Sequence, residues 1–570
     1  MTPSATQAVS GGAEAHRPRI LVPEKISEDG LALLTPHFDV DVKLALSPDE
    51  LTQIIPGYHG LIVRSETKVT SEVLRAGRKL GVVARAGVGV DNIDVAAATN
   101  EGIIVINSPS GNIRAAAEHT VALLLATARN VGRADGSVKA GRWDRGKLVG
   151  VEVGRKVLGI VGLGKVGLNV ARMAKGLGMH VLAVDPFASA DMARQAGVEL
   201  MVELKDLLAT VDFLTIHTPL LATTMDLIGE AQFRMMKKTA YVLNVARGGV
   251  YNEAALLDAL DAGTIAGAGL DVFTSEPPAE GSTAARLARH PKVTATPHLG
   301  ASTVEAQENV SMDVCTQMLE ILRGGLPTSA VNVPIILPEE YRKLQPSVQL
   351  VEKMGRLYTQ HFVRAKGGMV GGHRFELIYR GELAGMPNTK PLYAALVKGL
   401  VASFSDSNVN IVNATVIARE KGIVINETHA RESQDMTYSN LVTLRSVADA
   451  KTGTSEQIIE GYASDKRVYI SKLDRFNATF QPDGTLIILH NYDKPGKIGG
   501  VGMVLGSHGI NIRFMQVASL GRECLQDHDG RAQQDEEALM ILGVDGDVDD
   551  VVLDGLRASD GVLDVSLVNL

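Results

Sequence analysis

Five short aliphatic runs alternate with helical segments near the start of the chain, and this alternation constrains the fold more than any other feature. The runs are RILVPE, FDVDV, GLIVRS, GVVARAG and GIIVIN. Buried strands separated by helices predict a parallel sheet with crossover helices. After the helical pattern AAAEHTVALLLATARNV, a second series follows: KVLGIVGLG, HVLAVDP, DFLTIHTP, AYVLNVARGG, AGAGLDVF and KVTATPH. We therefore expect an α/β protein with two doubly wound parallel-sheet lobes in tandem.

The remainder of the chain has a different pattern. The amphipathic segment ASTVEAQENVSMDVCTQMLEILRGG ends in glycines, and the Pro-rich LPTSAVNVPIILPEE that follows predicts a boundary. Residues 336–480 mix helices and strands without a chemical motif, so we expect an intervening α+β domain. Residues 484–570 predict strand, helix, strand, strand, helix and strand, which is the ferredoxin-like βαββαβ order.

Composition excludes several classes of protein. The net charge of −8 and the 4% aromatic content argue against nucleic-acid binding. The two cysteines, Cys315 and Cys524, lack the spacing of metal ligands, so we expect a reducing compartment and no metal site. Residues 1–16 lack the features of a secretory signal and are expected to form a disordered arm. No apolar run is long enough to cross a membrane, so a cytoplasmic protein is expected.

A glycine motif directly after the first strand of the second series predicts a dinucleotide site. Gly162, Gly164 and Gly167 form G-x-G-x-x-G at the start of a helix, where they permit a tight turn, close approach of a pyrophosphate and close packing of helix on strand. Asp185 ends the next strand and is suited to bind a ribose diol. Pro186 follows it rather than an arginine, which favours NAD over NADP. The alternative is that the glycines serve packing alone.

Titratable side chains recur at the predicted carboxyl ends of the strands, where doubly wound sheets bind ligands. Transfer of a hydride from a secondary alcohol to NAD needs a base for the hydroxyl proton and a cation for the substrate anion. His298 and Arg247 can supply these, and Glu276 can orient the imidazole and favour its protonated form. The alternative for His298 is a hydrogen-bonded histidine in an ordinary strand-end turn.

Three motifs carry a resemblance to a known family. NVARGG, GLDVFTSEPP and TPHLGAST resemble the Arg, Glu and His signatures of the D-2-hydroxyacid dehydrogenases. ARAGVGVDNID, NSPSGNIRAAAEHT and the terminal small domain are similar to the long-form members of that family. The resemblance implies a flavodoxin-like substrate lobe (17–110 plus 299–335), a Rossmann NAD lobe (111–298), an intervening domain (336–480) and an ACT regulatory domain (484–570).

The resemblance also implies an activity: NAD-dependent oxidation of 3-phosphoglycerate to 3-phosphohydroxypyruvate, the first step of L-serine biosynthesis. In the family pattern Arg247 holds the substrate carboxylate and carbonyl oxygen, His298 is the acid and base, and Glu276 is its partner. The residues expected to bind the cofactor NAD are Gly162, Gly164, Lys165, Val166, Gly167, Asp185, Pro186, His217, Thr218, Pro219, Ala246, Arg247, Asp271, His298 and Gly300.

Family analogy assigns further residues to the substrate and to an effector. The expected substrate-binding residues are Arg64, Ser65, Arg85, Gly87 and Arg145, of which Arg145 would reach the substrate of a neighbouring subunit or form a surface ion pair. Val88 departs from the pattern, because some relatives have a threonine there that touches the cofactor. The expected serine-binding residues are Asn491, Asp493 and Asn511; the alternative is that these are turn and cap residues in a domain that only dimerises.

Three questions stay open from the sequence. The resemblance implies a homo-oligomer, and both a dimer and a tetramer fit. A sister dehydrogenase acting on glyoxylate or 2-hydroxyglutarate would share the same motifs. So would an NAD-sensing corepressor that binds peptides, although its relatives lack an ACT-like end.

Overall fold

A computed structural model describes residues 17–334, 336–363, 370–405, 408–430, 439–447, 456–464, 467–520 and 537–570. The arm expected at 1–16 and Cys524 lie outside the described residues. Within the described part of the chain, no helix combines the length and apolar composition needed to span a membrane.

The first 322 residues contain twelve described strands and thirteen described α-helices. The strands are β1 Arg19–Val22, β2 Asp39–Val42, β3 Gly60–Val63, β4 Val82–Arg85, β5 Ile104–Asn107, β6 Val157–Val161, β7 His180–Val184, β8 Glu199–Leu200, β9 Phe213–Ile216, β10 Tyr241–Asn244, β11 Gly267–Leu270 and β12 Val293–Ala295. The helices are α1 Glu28–Leu34, α2 Pro48–Ile54, α3 Ser71–Ala76, α4 Val95–Asn100, α5 Ile113–Ala128, α6 Val131–Lys139, α7 Lys165–Gly176, α8 Ala190–Gln195, α9 Leu204–Thr210, α10 Glu230–Met235, α11 Glu253–Asp261, α12 Thr283–Arg289 and α13 Val304–Leu322.

These strands form two parallel sheets, as the sequence predicts. The first has the order β2-β1-β3-β4-β5, which is the flavodoxin-like order. The second has the order β12-β11-β10-β9-β6-β7-β8, a Rossmann order whose direction reverses between β6 and β9. Only the two-residue strand β8 was not predicted. The fold class predicted for both lobes is confirmed.

Helix α13 lies after the second sheet in sequence but packs on the first. Its buried residues Val310, Val314, Cys315 and Met318 share one hydrophobic core with Ile20 and its neighbours in the first sheet. Cys315 is a free thiol, and burial raises its pKa to about 12. A thiol held protonated in this way is unreactive, so Cys315 serves as a small apolar side chain of this core.

The intervening region is α+β, as expected. Its helices are α14 Pro338–Tyr358, α15 Lys390–Val401 and α16 Ala414–Glu420, and its described strands are β13 Arg374–Gly381, β14 Val424–Ala430, β15 Asn440–Ser446, β16 Gln457–Ser464, β17 Arg467–Leu473 and β18 Phe476–Phe480. They form a sheet in the order β14-β13-β15-β16-β17-β18. The pair β13 and β14 is parallel and the other pairs are antiparallel.

The C-terminal region has the predicted ferredoxin-like order. Its elements are β19 Thr485–Tyr492, α17 Lys497–Ser507, β20 Asn511–Ser519, β21 Glu537–Asp545, α18 Asp550–Arg557 and β22 Val562–Asn569, with sheet order β20-β21-β19-β22. Helices α17 and α18 cover one face of this sheet. The other face contributes Leu486, Ile488 and Ile541 to the core of the intervening region. The two C-terminal regions therefore share one continuous core.

The C-terminal half attaches to the outer edge of the first sheet. Val331 N–H donates to the carbonyl oxygen of Val105 at 2.8 Å, and Asn332 Oδ1 accepts the N–H of Val105 at 2.9 Å. Asn410 of the intervening region donates from Nδ2 to the Gly102 carbonyl oxygen at 2.7 Å. The connecting segment 329–332 thus lies along β5 and pairs with it through an isolated antiparallel bridge between Ala330 and Ile106.

Candidate active site

A cleft of about 450 Å³ opens between the two parallel-sheet lobes. Many of its lining residues follow the carboxyl ends of strands in the two lobes, which is where doubly wound sheets bind ligands. They include Val88, Gly89, Val90, Asp91 and Asn107 from the first lobe, Val166, His217, Thr218, Pro219, Ala246, Arg247 and His298 from the second, and Gly300 and Val331 from the chain that returns to the first lobe. The cleft therefore brings together eight of the residues that the sequence singles out, including Arg247 and His298.

His298 and Glu276 form a close pair at this cleft. Nδ1 of His298 lies 2.6 Å from Oε2 of Glu276, although the two residues are separated by 22 positions. The other carboxylate oxygen, Oε1, accepts the N–H of Phe273 at 3.0 Å. Partial burial raises the pKa of Glu276, but the bonds from His298 and Phe273 outweigh it and lower the pKa overall. An ionised carboxylate thus fixes one ring nitrogen and leaves Nε2 as the nitrogen that can exchange a proton.

The turn that carries His298 is organised by Asp271, whose side chain is fully buried. Oδ1 accepts the N–H of Leu299 at 2.7 Å, and Oδ2 accepts the N–H of Gly300 at 2.8 Å. The sequence predicts that Asp271 borders the dinucleotide; its carboxylate binds the backbone of this turn, and Asp271 is not a lining residue of the cleft. Gly300 does line the cleft, as expected.

Arg247 follows β10 and is held by groups from both lobes. Asn244 supports the backbone of this loop, donating to the Arg247 carbonyl oxygen at 2.8 Å and accepting the Ala246 N–H at 3.0 Å. The guanidinium donates from Nη1 to the Ala246 carbonyl oxygen at 2.7 Å and from Nε to Asp91 Oδ2 at 3.2 Å. Because Asp91 belongs to the first lobe, this ion pair spans the cleft.

A second guanidinium lies near Arg247. Burial and the positive charge of Arg247 lower the pKa of Arg85 to about 10, and Asp91 and Glu24 only partly offset this. Among the described residues, none accepts a hydrogen bond from the buried Nε of Arg85. The Arg85 side chain lies over Gly87, because a Cβ at Gly87 would lie 1.5 Å from Nη1 of Arg85. Two neighbouring cations, one of them incompletely paired, suit an anionic substrate.

None of the five expected substrate residues is a lining residue of the main cleft. Arg64 lines a neighbouring pocket beside α1 and donates from Nη1 to the Lys25 carbonyl oxygen at 3.4 Å. Ser65 is exposed next to it. Arg145 is exposed on a short 3-10 turn, Arg145–Lys147, and is not among the lining residues of either pocket. Arg145 therefore has no place in the cleft of its own chain.

The glycine loop has the geometry that its motif predicts. Gly162 has φ of +90°, and a Cβ at that position would lie 2.8 Å from the His217 carbonyl oxygen. A Cβ at Gly167 would lie 2.3 Å from the Gly162 carbonyl oxygen, so helix and strand approach too closely for any side chain. Gly164 caps the N-terminus of α7. Asp185 follows β7 and accepts the N–H groups of Leu163 at 2.7 Å and Phe187 at 2.8 Å.

The polar groups around this loop fit a dinucleotide. The Thr218 hydroxyl is buried, and no described residue offers it a hydrogen-bond partner. Desolvation lowers the pKa of His217 to about 4, so its ring is neutral near pH 7. Lys165 at the first turn of α7 reaches across the cleft to the Ser110 hydroxyl at 3.0 Å. Pro186 is exposed beside Asp185. An unpaired hydroxyl and a free helix N-terminus are groups that a bound pyrophosphate and ribose would satisfy.

A smaller pocket of about 280 Å³ lies in the C-terminal region at the N-terminus of α17. Asn491 lines it and is only 3% exposed, and its buried Oδ1 has no partner among the described residues. Asp493 and Asn511 are exposed and are not lining residues of this pocket. The structure thus separates Asn491 from the two residues that were grouped with it.

Several contacting residues were not predicted. Asp91 pairs with Arg247, and His119 and Thr296 contact Asp271. Thr296 lies two positions before His298 in TATPH, so its place at a strand end was an available signal. His119 is a single histidine in a long helix, and nothing in the sequence connects it to Asp271.

Comparisons with known proteins identify the family of this chain. The model for the D-isomer specific 2-hydroxyacid dehydrogenase NAD binding domain matches residues 121–300, and the model for the D-3-phosphoglycerate dehydrogenase intervening domain matches residues 343–468. Among solved structures, the pyruvate reductase of Chlamydomonas reinhardtii matches with a TM-score of 0.50 and 29% identity, covering 55% of this chain and 98% of that one.

Full-length relatives extend the match to both halves of the chain. The chloroplastic D-3-phosphoglycerate dehydrogenase 2 of Arabidopsis thaliana is 43% identical, over 94% of this chain and 84% of the relative. The D-3-phosphoglycerate dehydrogenase of Archaeoglobus fulgidus is 39% identical, over 97% of this chain and 100% of the relative. The chain belongs to the D-3-phosphoglycerate dehydrogenases, which are NAD-binding oxidoreductases of the D-isomer specific 2-hydroxyacid dehydrogenase family.

Proposed function

We propose that this chain oxidises 3-phosphoglycerate to 3-phosphohydroxypyruvate with NAD, the first step of L-serine biosynthesis. The observation that carries the mechanism is the 2.6 Å contact between His298 and Glu276 at the cleft that also holds Arg247 and opens onto the residues beside the glycine loop. An imidazole, a carboxylate and a guanidinium converge there although they are far apart in sequence.

The residues divide the chemistry between them. The glycine loop, Asp185 and Thr218 would hold NAD, which would supply the hydride acceptor. His298 accepts the hydroxyl proton on Nε2, and the negative charge of Glu276 stabilises the resulting imidazolium. Arg247 binds the substrate carboxylate and the oxygen that becomes the carbonyl, in an orientation fixed by Asp91 and the Ala246 carbonyl oxygen.

The phosphate end of the substrate is assigned to the first lobe. Arg85 has an unsatisfied buried Nε, and Arg64 lies close enough to lower its pKa further. An additional anion would relieve the repulsion between these guanidiniums, which is a reason for preferring a phosphorylated acid. On this assignment the first lobe, 17–110 with 299–335, is the substrate domain and 111–298 is the NAD domain.

Consumption of NADH tests the substrate assignment. The full chain is assayed with 3-phosphohydroxypyruvate, glyoxylate and 2-oxoglutarate as oxidants, and kcat/KM is compared. The proposal expects the phosphorylated acid to be preferred by at least about tenfold, given two cations at the phosphate end. Equal or greater kcat/KM with an unphosphorylated acid would identify a sister dehydrogenase. No turnover with any acid, together with tight binding of peptides, would identify a corepressor.

The pocket at the start of α17 is assigned to a small amino-acid effector, with serine as the candidate. A zwitterion needs one acceptor for its ammonium and donors for its carboxylate. Asn491 Oδ1 is a buried acceptor, and the N-terminus of α17 with the Lys497 ammonium provides the donors. Lys497 is paired at 2.8 Å with exposed Asp560, a partner that a carboxylate can displace. This geometry supports Asn491 and gives no support to Asp493 or Asn511.

Asn491→Ala is expected to weaken inhibition by L-serine about tenfold or more, because it removes the one buried acceptor in the pocket. The measurement is the serine concentration that halves the initial rate, in wild type and in the variant. Asn511→Ala, an exposed asparagine of the same domain, is the matched control and should leave that concentration unchanged. Loss of inhibition in Asn511→Ala but not in Asn491→Ala would show that serine binds near Asn511 and not in this pocket. A wild-type enzyme that serine does not inhibit would contradict the assignment of an inhibitory serine site.

A homo-oligomer is assigned from exposed apolar side chains on the NAD lobe. Trp143 is 83% exposed and Val149 is 81% exposed on the loop that follows α6, and Val131 and Val138 on α6 are also exposed. A cluster of this kind is typical of a surface that another subunit covers. Arg145 lies within the same loop, so a second copy would place it against a neighbouring chain. Sedimentation equilibrium, with a monomer as the contradicting result, tests the assignment.

A further inference from the structure

His119 lies beside the turn 296–300, which carries His298, and is not a lining residue of the cleft. It belongs to α5, which packs on β10, β11 and β12, and its side chain is 19% exposed. Nε2 lies 3.1 Å from Asp271 Oδ1 and 3.1 Å from the Thr296 hydroxyl oxygen. Thr296 lies two positions before His298, and Asp271 binds the backbone of the turn that carries His298. Neither of these two partners of His119 is a lining residue of the cleft.

Asp271 connects His119 to the turn 296–300. Besides the N–H groups of Leu299 and Gly300, its carboxylate accepts the Thr296 hydroxyl at 2.6 Å. Its backbone carbonyl oxygen accepts the N–H of His298 at 2.9 Å. One buried residue thus holds three backbone N–H groups and one hydroxyl of the turn. If its carboxylate moved or rotated, the turn would lose most of these bonds together.

The turn needs such support because of its backbone conformation. His298 has φ of +53°, in the left-handed region that residues with a side chain adopt at a cost. The conformation directs the imidazole toward Glu276, with Nδ1 and Oε2 at 2.6 Å. A residue that steadies Asp271 therefore steadies the geometry of the proton-transferring pair, although it touches neither member of that pair.

His119 also favours the ionised form of the buried Asp271 carboxyl. Full burial raises the pKa of this carboxyl, but the bonds from His119, Thr296 and the N–H of Leu299 outweigh that effect and lower the pKa overall. An ionised carboxylate accepts stronger hydrogen bonds from the N–H groups of Leu299 and Gly300 than a neutral acid would. Because an ionised carboxylate only accepts hydrogen bonds, Nε2 of His119 carries the proton in this contact, and its bond contributes to the strength of the turn as well as to its position.

We propose that His119 is a positioning residue for the oxidation: its Nε2–H bond to Asp271 holds the turn 296–300 so that His298 meets Glu276 and the substrate. The inference rests on the proposed function, since it assumes that His298 transfers the proton. It adds a residue of α5 that acts through Asp271 and Thr296 rather than from the lining of the cleft.

Two substitutions separate the hydrogen bond from simple packing. His119→Phe keeps a ring of similar size and removes the donor, whereas His119→Gln loses the ring and keeps an N–H donor near the position of Nε2. We expect His119→Phe to lower kcat about tenfold, with the Kd for NADH within about twofold of wild type, and His119→Gln to recover most of that loss. A packing role predicts the reverse order, with Phe the milder change.

Thr296→Val provides a second route to the same bond network if His119→Phe fails to fold, as judged by its thermal unfolding. It removes the other side-chain donor to Asp271 Oδ1 and keeps the branched shape. We expect it to lower kcat with unchanged NADH affinity, and the double variant to lose less than the product of the two single losses, because both act through one carboxylate. Strictly multiplicative losses would overturn the inference.

The outcomes for His119 and for the proposed function are distinguishable. Wild-type kcat in His119→Phe, or equal losses in the Phe and Gln variants, overturns the positioning role even when His298→Ala is inactive. Retained turnover in His298→Ala overturns the proposed function itself, whatever the His119 variants do. NADH binding, followed by its fluorescence, confirms in each case that the NAD lobe is intact.

Discussion

His298→Ala is expected to lower kcat by about a thousandfold in both directions, because it removes the only imidazole assigned to proton transfer in the cleft. The Kd for NADH should stay within a few-fold of wild type. The glycine loop, Asp185 and Thr218 are assigned to bind the cofactor, and none of them hydrogen-bonds to the His298 ring. Steady-state turnover and NADH fluorescence titration measure the two effects on one preparation.

His180→Ala is the matched control for this experiment. His180 is an exposed residue at the start of β7 in the same lobe, at the opposite end of the sheet from the cleft. Its replacement should change neither turnover nor NADH affinity. Wild-type turnover in His298→Ala would end the proton-carrier role, and a parallel loss of NADH binding would indicate that the substitution damages the lobe.

Glu276→Gln is expected to depress reduction of the ketoacid at pH 7 on the order of a hundredfold, and oxidation of the alcohol by less. Reduction begins with a protonated imidazole, which the carboxylate favours by its negative charge. Oxidation begins with a neutral imidazole, which does not need that charge. In the variant, the decline of the reduction rate with rising pH should therefore begin at a lower pH than in wild type. Rates of both reactions measured from pH 5 to pH 10 test this.

Glu280→Gln removes an exposed carboxylate four positions away and serves as the matched control. It changes the local net charge equally but has no contact with the imidazole. Its two pH profiles should superimpose on those of wild type. If the Glu276→Gln profiles also superimpose in both directions, Glu276 has no part in the proton transfer and the 2.6 Å contact is structural.

The fold was largely predictable because most of its strands can be recognised from the hydrophobic pattern of a few neighbouring residues. Each buried parallel strand appears in the sequence as a continuous aliphatic run, and the right-handed crossover rule then limits the order of strands. The two-residue strand β8 is too short to give such a run. The shared core of the two C-terminal regions was not predicted either, because which face of a sheet meets a second region is decided by contacts distant in sequence.

The site was predictable to the extent that strand ends determine it. His298, Glu276 and Arg247 were found because carboxyl ends of neighbouring parallel strands meet at one edge. The direction in which a side chain turns from that edge is decided by its hydrogen-bond partners, so the sequence does not predict that the Asp271 carboxylate binds the backbone of the turn. Asn511 stays a prediction: it is exposed and is not a lining residue of the pocket that contains Asn491.

The segment 329–332, which lies along the outer edge of β5, has a practical consequence for dissecting the molecule. It forms an antiparallel bridge between Ala330 and Ile106, and Val331 forms part of the cleft wall. A fragment ending before Ser329 would leave the N–H and carbonyl groups of β5 open to pairing with another chain, a known route to aggregation. It would also have an incomplete catalytic cavity. A minimal catalytic fragment should therefore retain the chain through Asn332, which binds Val105 and Ile103.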